Sequence, residues 1–510
     1  MFVTTYGSAL IGIEAKKIHI EVNWLLTGKA STLVGLPDSA IRESLERIES
    51  AFKTNGYKFP RTKLVINLAP ADIRKSGTAF DLPIAIGILA ASGQLKKVED
   101  LQKYLLMGEL ALDGSIRSIR GALPIALQAK KDGFTGVILP AENTAEAILI
   151  RSIDIIGASH LNEIVALFSE QLEIKAIVKK DKPPEKEKFN ATTEIKETVI
   201  GQELAKRALE IAAAGGHHLL LYGAPGAGKT MLARRLSLLL PALSYPEAIE
   251  TSLIHSVTGH GIHPQLLTGK RPFRDPHHSI SDAGLIGGGR NLQPGEISLA
   301  HHGVLFLDEL PEFKRNVLEA LRQPLEERCI VLARAGHTCH YPCSFLLVAA
   351  MNPCPCGYHG HPTIPCSCTT GMIQRYKHRI SGPLLDRIDL HVEVKPLGAN
   401  ELIQTVNADN NKLLSTLDKI KKAREIQAIR WKTIPHFYCN AQANGQLIHT
   451  TSKIEEEGLK ILEKAAIKFG YSARVLDRLL KVARTIADLD QQASILPAHF
   501  AEAIQFRNII

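Results

Sequence analysis

Apolar positions along the first third of the chain follow two spacings. Residues 9–15 and 18–22 are short aliphatic runs and predict strands. Ile41, Leu45, Ile48 and Phe52 recur at helical steps, so 38–52 predicts an amphipathic helix. Residues 64–68 predict a short buried strand, and 82–89 a core helix. This mixture predicts a self-contained α+β domain over 1–170. The pattern stops at residues 179–188, which are charged, contain Pro183 and Pro184, and offer nothing apolar to bury. They predict a solvated linker within 171–195. Beyond it, apolar runs at 217–222, 303–307 and 345–351 each lead into polar residues and predict an α/β core over 196–397. From 398 to 510 the pattern is mostly helical. No internal repeat is present. The fold class is therefore multidomain α/β, with an α+β domain first and a helical region last.

The chain has 510 residues, 45% of them hydrophobic, which suffices for several cores. No window reaches the roughly eighteen uninterrupted apolar residues of a membrane span. The N-terminus lacks the basic start and apolar core of a signal peptide, so a cytoplasmic location is expected. Eight cysteines without a secretion signal point to free thiols or metal, not disulfides. The formal charge of +9 permits polyanion binding without requiring it.

Gly223, Ala224, Pro225, Gly226, Ala227, Gly228, Lys229 and Thr230 change the picture. They sit between an apolar run and a helical pattern, the context in which a glycine-rich loop cradles phosphate. The glycines let successive N–H groups face an anion, and the helix start adds its dipole. Lys229 would reach the outer phosphates of ATP, and Thr230 would offer its hydroxyl to Mg²⁺. Asp308, closing the second run, is expected to hold Mg²⁺, and Glu309 to polarise the attacking water. Asn352, closing the third, is the candidate polar sensor. Arg387 is a candidate cation for the transition state, with a salt bridge to Asp386 or Asp389 as the rival reading. Arg474 opens an amphipathic helix and is a candidate phosphate-sensing arginine, with a plain surface role as its rival.

Cys354, Cys356, Cys366 and Cys368 bracket a short loop and are candidate ligands for a structural Zn²⁺, although C-x-C is tighter than the common spacing. His359 and His361 are possible substitutes. Two segments resemble insertions on the core. One spans about 257–298 and carries Lys270, Arg271, Arg274 and Arg290, with Gly287–Gly289 as a flexible tip. The other, 330–340, reads as a β-hairpin carrying Arg334 and His337. These are candidate DNA contacts, and for each a local ion pair is an equal alternative. The basic helical face at 419–424 with Arg430 is expected to be solvated.

Taken in order, these motifs resemble the magnesium-chelatase-like group of AAA+ ATPases. Val199–Gln202, Arg271–Arg274, Pro276–His278, Pro294–His301, Pro353–Gly357 and Ala483–Leu489 resemble one bacterial family along its length, the ComM/YifB family. That resemblance implies a hexameric DNA motor promoting branch migration when incoming single-stranded DNA recombines during natural transformation. Single-stranded and branched DNA, further copies of the chain and recombination proteins are the implied partners, with no membrane. Arg387 would then act on the neighbouring subunit's nucleotide, and Arg474 from a helical lid. Residues 1–170 resemble the C-terminal fold of Lon protease. The positions of its Ser–Lys dyad fall on Ala79 and Leu123, so the domain is read as non-proteolytic. A protein remodeller and a magnesium chelatase subunit are the alternative functions.

Overall fold

The structure is a computed structural model. It describes residues 1–25, 27–28, 31–169, 201–259, 266, 269–289, 292–334, 337–396, 410–434 and 437–507. The expected linker and Arg290 lie outside the described residues. The chain divides into two compact units.

The first unit comprises Met1–Lys186, Tyr245–Thr268 and Ala333–Tyr341. Strands β1 (Phe2–Ile11) and β2 (Glu14–Trp24) form a long antiparallel hairpin. The strand expected across 9–15 is thus two strands, because Gly12 turns the chain with φ +62°. With β3 (Thr32–Val34), β4 (Leu64–Ala69), β5 (Tyr104–Leu106), β6 (Gly136–Pro140) and β7 (Asp154–Ala158) they make a mixed sheet ordered β3-β4-β2-β1-β5-β6-β7. The helix expected at 38–52 starts one turn earlier than its main body: Asp38 caps Ser39–Arg42, and α1 runs Ser44–Thr54. Helix α2 (Asp81–Ala91) is buried along its whole length. It can lie flat on β2 because Gly87 has no Cβ, which would stand 2.7 Å from Val22 Cγ2. Arg47 clasps the buried Asp81 carboxylate with two bonds of 2.7 and 2.9 Å. Helices α3 (Ala122–Lys131) and α4 (Leu161–Phe168) complete the core. The Tyr245–Ser256 helix also belongs here. Its Ile249 and Leu253 pack on the core, and the Ser256 carbonyl accepts from Gly121 N at 3.0 Å.

The second unit comprises Glu187–Ser244, Gly269–Leu332 and Pro342–Ile510. Helix α5 (Glu203–Gly215) precedes β8 (Leu219–Tyr222), and α6 (Lys229–Leu239) follows it. Strands β9 (Phe273–Arg274) and β10 (Val304–Leu307) come next in the chain. The hairpin strands β11 (Cys329–Arg334) and β12 (His337–Pro342), of which Ala333–Tyr341 count with the first unit, match the hairpin expected at 330–340. Strands β13 (Leu346–Met351) and β14 (Leu390–Glu393) finish a five-stranded sheet, ordered β9-β10-β13-β8-β14 and parallel throughout. Its centre is apolar on both faces, as a parallel sheet covered by helices requires. The three predicted core strands are β8, β10 and β13. The edge strand β9 was hidden inside what the sequence suggests is an insertion. Helices α7 (Thr370–Lys377), α8 (Asn410–Arg430), α9 (Glu456–Phe469), α10 (Ala473–Leu489) and α11 (Pro497–Gln505) follow. Val475, Leu479, Val482 and Ile486 give α10 a buried stripe, and it packs against α5, α8 and α11.

Candidate nucleotide site

Because β8, β10 and β13 run parallel, their C-terminal ends open on one edge of the sheet. The glycine loop leaves β8 there. Gly226 and Gly228 have φ of +74° and +92°, a conformation that disfavours any other residue. Gly223 meets a different demand: a Cβ would lie 2.2 Å from the Val394 carbonyl oxygen.

Lys229 opens α6 and is only 8% exposed. Its ammonium donates to the carbonyls of Gly223 (2.7 Å) and Ala224 (3.0 Å) and to Asn352 Oδ1 (2.9 Å). Burial lowers its pKa. Thr230 Oγ1 donates to Asp308 Oδ2 at 3.1 Å. The structure therefore brings together four residues named from three distant segments. A hydroxyl and a carboxylate in contact beside a buried ammonium fit Mg²⁺ and a phosphate chain. Glu309 follows directly. It takes a left-handed backbone (φ 52°, ψ 45°), and its amide donates to Asp308 Oδ1 at 2.9 Å. Its Oε2 lies 3.3 Å from Nδ1 of His278, which the sequence marks as part of a family motif without assigning it a role.

The chain matches the family of magnesium chelatase subunit ChlI over residues 196–402. It matches further ChlI families over 20–143 and, for the C-terminal part, over 415–507. It is 43% identical to YifB of Escherichia coli K12 over 98% of this chain and 96% of that one. It is 42% identical to competence protein ComM of Haemophilus influenzae over 99% and 97%. The chain belongs to the YifB/ComM family of magnesium-chelatase-like AAA+ proteins. A shorter likeness joins it to Lon protease of Endomicrobium trichonymphae, 24% identical over 35% of this chain and 23% of that one.

In this YifB/ComM protein Arg387 is not an open surface cation. It is 4% exposed, pairs with Glu326 at 2.6 Å and donates to the Pro383 carbonyl at 2.6 Å. The rival reading named the wrong acids. Asp386 faces Arg507 at 3.4 Å, and Asp389 faces Arg478 at 2.6 Å. Arg474 is exposed in the first turn of α10. Sequence reasoning missed Arg478, one turn further on. Burial alone would raise the Asp389 carboxyl; Arg478 and His217 outweigh that and hold it well below the ordinary carboxylate range. Asp389 also accepts from His218 N at 2.9 Å, so it ties α10 to the start of β8.

Cys354, Cys356 and Cys366 have Sγ separations of 3.3, 3.6 and 3.5 Å, and the Cys368 sulfur joins them with all four mutually within 4.8 Å. Tetrahedral Zn²⁺ with thiolates at about 2.3 Å requires sulfurs about 3.8 Å apart, so the donor set fits that ion. His361 is not among the cluster; its Nδ1 accepts from Ile364 N at 3.0 Å. The cysteine loop lies against the phosphate loop: a Cβ on Gly357 would stand 2.6 Å from Pro225 Cγ.

The expected DNA contacts divide. Arg274 lies on β9 and is clamped by Glu296 through two bonds of 2.5 and 2.6 Å, so the local ion pair is its observed role. Arg271 donates to the carbonyls of Pro241 (2.6 Å) and His302 (2.7 Å), again a structural use. Lys270 is half-buried, and Arg334 is exposed on the hairpin. The side chain of His337 lies outside the described residues. The basic face expected to be solvated divides: Lys419, Lys421 and Lys422 are exposed, whereas Arg424 and Arg430 are partly buried and paired. Arg424 donates to Ala213 O at 2.8 Å, and Arg430 grips Asp488 at 2.6 and 2.8 Å. No helix among the described residues is long and apolar enough to cross a membrane.

Proposed function

We propose that this YifB/ComM protein is an ATP-driven, ring-forming DNA translocase that promotes branch migration during recombination of incoming single strands. The observation carrying the enzymatic half is the meeting of Lys229, Thr230, Asp308 and Asn352 at one edge of the parallel sheet. When bound there, Mg²⁺ supplies charge neutralisation on the outer phosphates. Lys229 exchanges its carbonyl partners for phosphate oxygens. Glu309 takes the proton of a water whose oxygen bonds the terminal phosphorus while the bridging P–O bond breaks, leaving ADP and phosphate. Asn352 orients that water. Arg387 leaves Glu326 to stabilise the transition state in a neighbouring copy, and Arg474 senses the phosphate from the helical lid. The cysteine cluster holds a structural Zn²⁺.

The DNA half is supported by the name of the Haemophilus relative and by the charge of +9. The first unit serves assembly or DNA contact. It carries no protease dyad, since the positions aligned with a Ser–Lys pair hold Ala79 and Leu123.

Two variants and one substrate test the reading. Lys229→Ala is expected to lose ATP binding, and Glu309→Gln to keep binding and lose turnover. Forked or three-way DNA is expected to raise the wild-type ATPase rate, less so at high salt, because phosphate contacts weaken there. A rate indifferent to DNA, or a Glu309→Gln protein with normal turnover, overturns it. Insertion of Mg²⁺ into a porphyrin would instead favour the chelatase reading that the matched family's name supports.

A further inference from the structure

The cysteine cluster meets the nucleotide site twice. Asn352, whose Oδ1 accepts from the Lys229 ammonium at 2.9 Å, stands two residues before Cys354. Gly357 follows Cys356 and lies against Pro225 of the glycine loop, where a Cβ would stand 2.6 Å from Pro225 Cγ. Both ends of the Cys354–Cys356 step therefore lead directly into parts of that site. The sulfurs differ in access. Cys354 is buried, whereas Cys356, Cys366 and Cys368 are half-exposed. The Sγ atoms of Cys356 and Cys366 are 3.5 Å apart. Elsewhere among the described residues Cys339, Cys343 and Cys439 are buried, and Cys329 is half-exposed.

We infer that Cys356 and Cys366 are a peroxide-reactive pair whose oxidation opens the cluster and weakens ATP binding. This rests on the reading of the four cysteines as a Zn²⁺ site. A cysteine that binds metal does so as thiolate, and thiolate is the form that attacks an oxidant. The Cys356 sulfur attacks one oxygen of hydrogen peroxide. An S–O bond forms, the O–O bond breaks, and hydroxide leaves, taking a proton to become water. The Cys366 thiolate then attacks the Cys356 sulfur. An S–S bond forms, the S–O bond breaks, and a second hydroxide leaves, taking a second proton. Two electrons have passed from sulfur to peroxide. Cys354 and Cys368 remain as thiolates, too few for a structural Zn²⁺ site, which needs four ligands. With the cluster open, Gly357 no longer braces Pro225, and Asn352 is no longer fixed from its C-terminal side. The partners of Lys229 then lose their alignment.

The test uses full-length protein purified under reducing agent and assayed for zinc by metal analysis. It is titrated with hydrogen peroxide while a chelating dye reports released metal and a fluorescent ATP analogue reports affinity. Release of metal is expected to track a fall in affinity of about tenfold. Peptide mapping is expected to find the Cys356–Cys366 bond. Dithiothreitol with added Zn²⁺ is expected to restore both metal and affinity, which separates oxidation from unfolding. Cys329→Ser removes the other half-exposed thiol and is expected to respond as wild type does. Metal released with affinity unchanged overturns the coupling, as does a Cys329→Ser protein that no longer responds. Metal retained in peroxide sufficient to oxidise free cysteine overturns the reactivity. Reduced protein that carries no zinc sinks the metal reading, and the inference with it. An analogue that fails to bind before peroxide is added sinks the nucleotide site instead, and leaves nothing for the cluster to control.

Discussion

Among the described residues each unit buries one lysine, and the two are used in opposite ways. Lys75 in the first unit is fully enclosed, and its ammonium donates to the Pro70 carbonyl. Lys229 in the second is nearly as enclosed, yet donates to three oxygens at the mouth of a glycine loop. Burial lowers both pKa values. The surroundings differ because the sheets differ. In the parallel sheet the strand ends that carry Lys229, Asp308 and Asn352 share one edge. In the first unit's sheet, β1 and β2 run antiparallel, and the polar groups nearby are spent on one another. Arg47 holds Asp81, and Thr78 donates to Glu109. A buried ammonium becomes a site only where its partners are exchangeable.

The largest effect that would break this contrast is on Lys229. Lys229→Met is expected to weaken ATP binding at least about a hundredfold, near 3 kcal/mol, while leaving the melting temperature close to wild type. Fluorescent-nucleotide titration and calorimetry measure both. Lys75→Met, by contrast, is expected to leave ATP affinity alone. A Lys229→Met protein that binds normally would make the two lysines equivalent.

Next comes the pair of buried carboxylates. Asp389 is held well below the ordinary range, whereas burial raises Asp81 despite Arg47. Arg47, partly in solvent, gains from the contact; Asp81, fully enclosed, still loses more by burial than the pair returns. The signs follow. Asp389 contributes stability present above the unfolded carboxylate value of about 3.9 and lost as pH falls below it. Asp81 binds its proton more readily in the folded state, so its first unit gains stability as pH falls through its raised value. Hydrogen exchange between pH 5 and 3 is expected to lose protection in β8 and β14 before α2. Asp389→Ala leaves Arg478 enclosed without its carboxylate and is expected to cost about 3 kcal/mol in urea unfolding. Equal acid sensitivity of the two regions would contradict this account.

The sequence carried the nucleotide site well because its parts are local. A strand, a glycine turn and a helix start are contiguous, and Asp308 and Asn352 each end an apolar run. The cysteine cluster was likewise legible from spacing. What was hidden depends on partners far along the chain. Arg271 and Arg274 look like any basic residues until Pro241, His302 and Glu296 are placed beside them. A two-residue strand such as β9 has no period to detect, so the sheet edge next to β10 read as an insertion. Arg478 and Asp389 are separated by most of the helical region, and no pattern joins them.

Third in size is Lys75 itself. Removing an enclosed ammonium held only by the Pro70 carbonyl and keeping its apolar stem should stabilise the first unit by about 1 kcal/mol at neutral pH. Because burial lowers the folded pKa, the unfolded chain binds the extra proton, and wild-type stability should rise as pH climbs toward about 10.4. The Lys75→Met protein should lack that rise. Urea midpoints at pH 7 and 10 for both proteins decide it; a parallel rise in the two would place the ammonium elsewhere in the balance.

The smallest expected effect sharpens the contrast most, because it touches the glycine loop without touching Lys229. Gly357 has φ +88°, and its missing Cβ lets the cysteine loop rest on Pro225. Gly357→Ala adds both a strained backbone and a contact at 2.6 Å that Pro225 must yield to. The strain is about 1 kcal/mol, which converts to roughly fivefold if it is transmitted to the loop. ATP affinity should fall by about that factor. Zinc content by metal analysis should be unchanged, because Gly357 supplies none of the four sulfurs. Weakened nucleotide binding with metal retained would show that the loop's carbonyls, the present partners of Lys229, are held in place from the cysteine side. Unchanged affinity would mean that the glycine loop keeps its shape alone, and that Lys229 owes its exchangeable partners to the sheet edge and to nothing outside it.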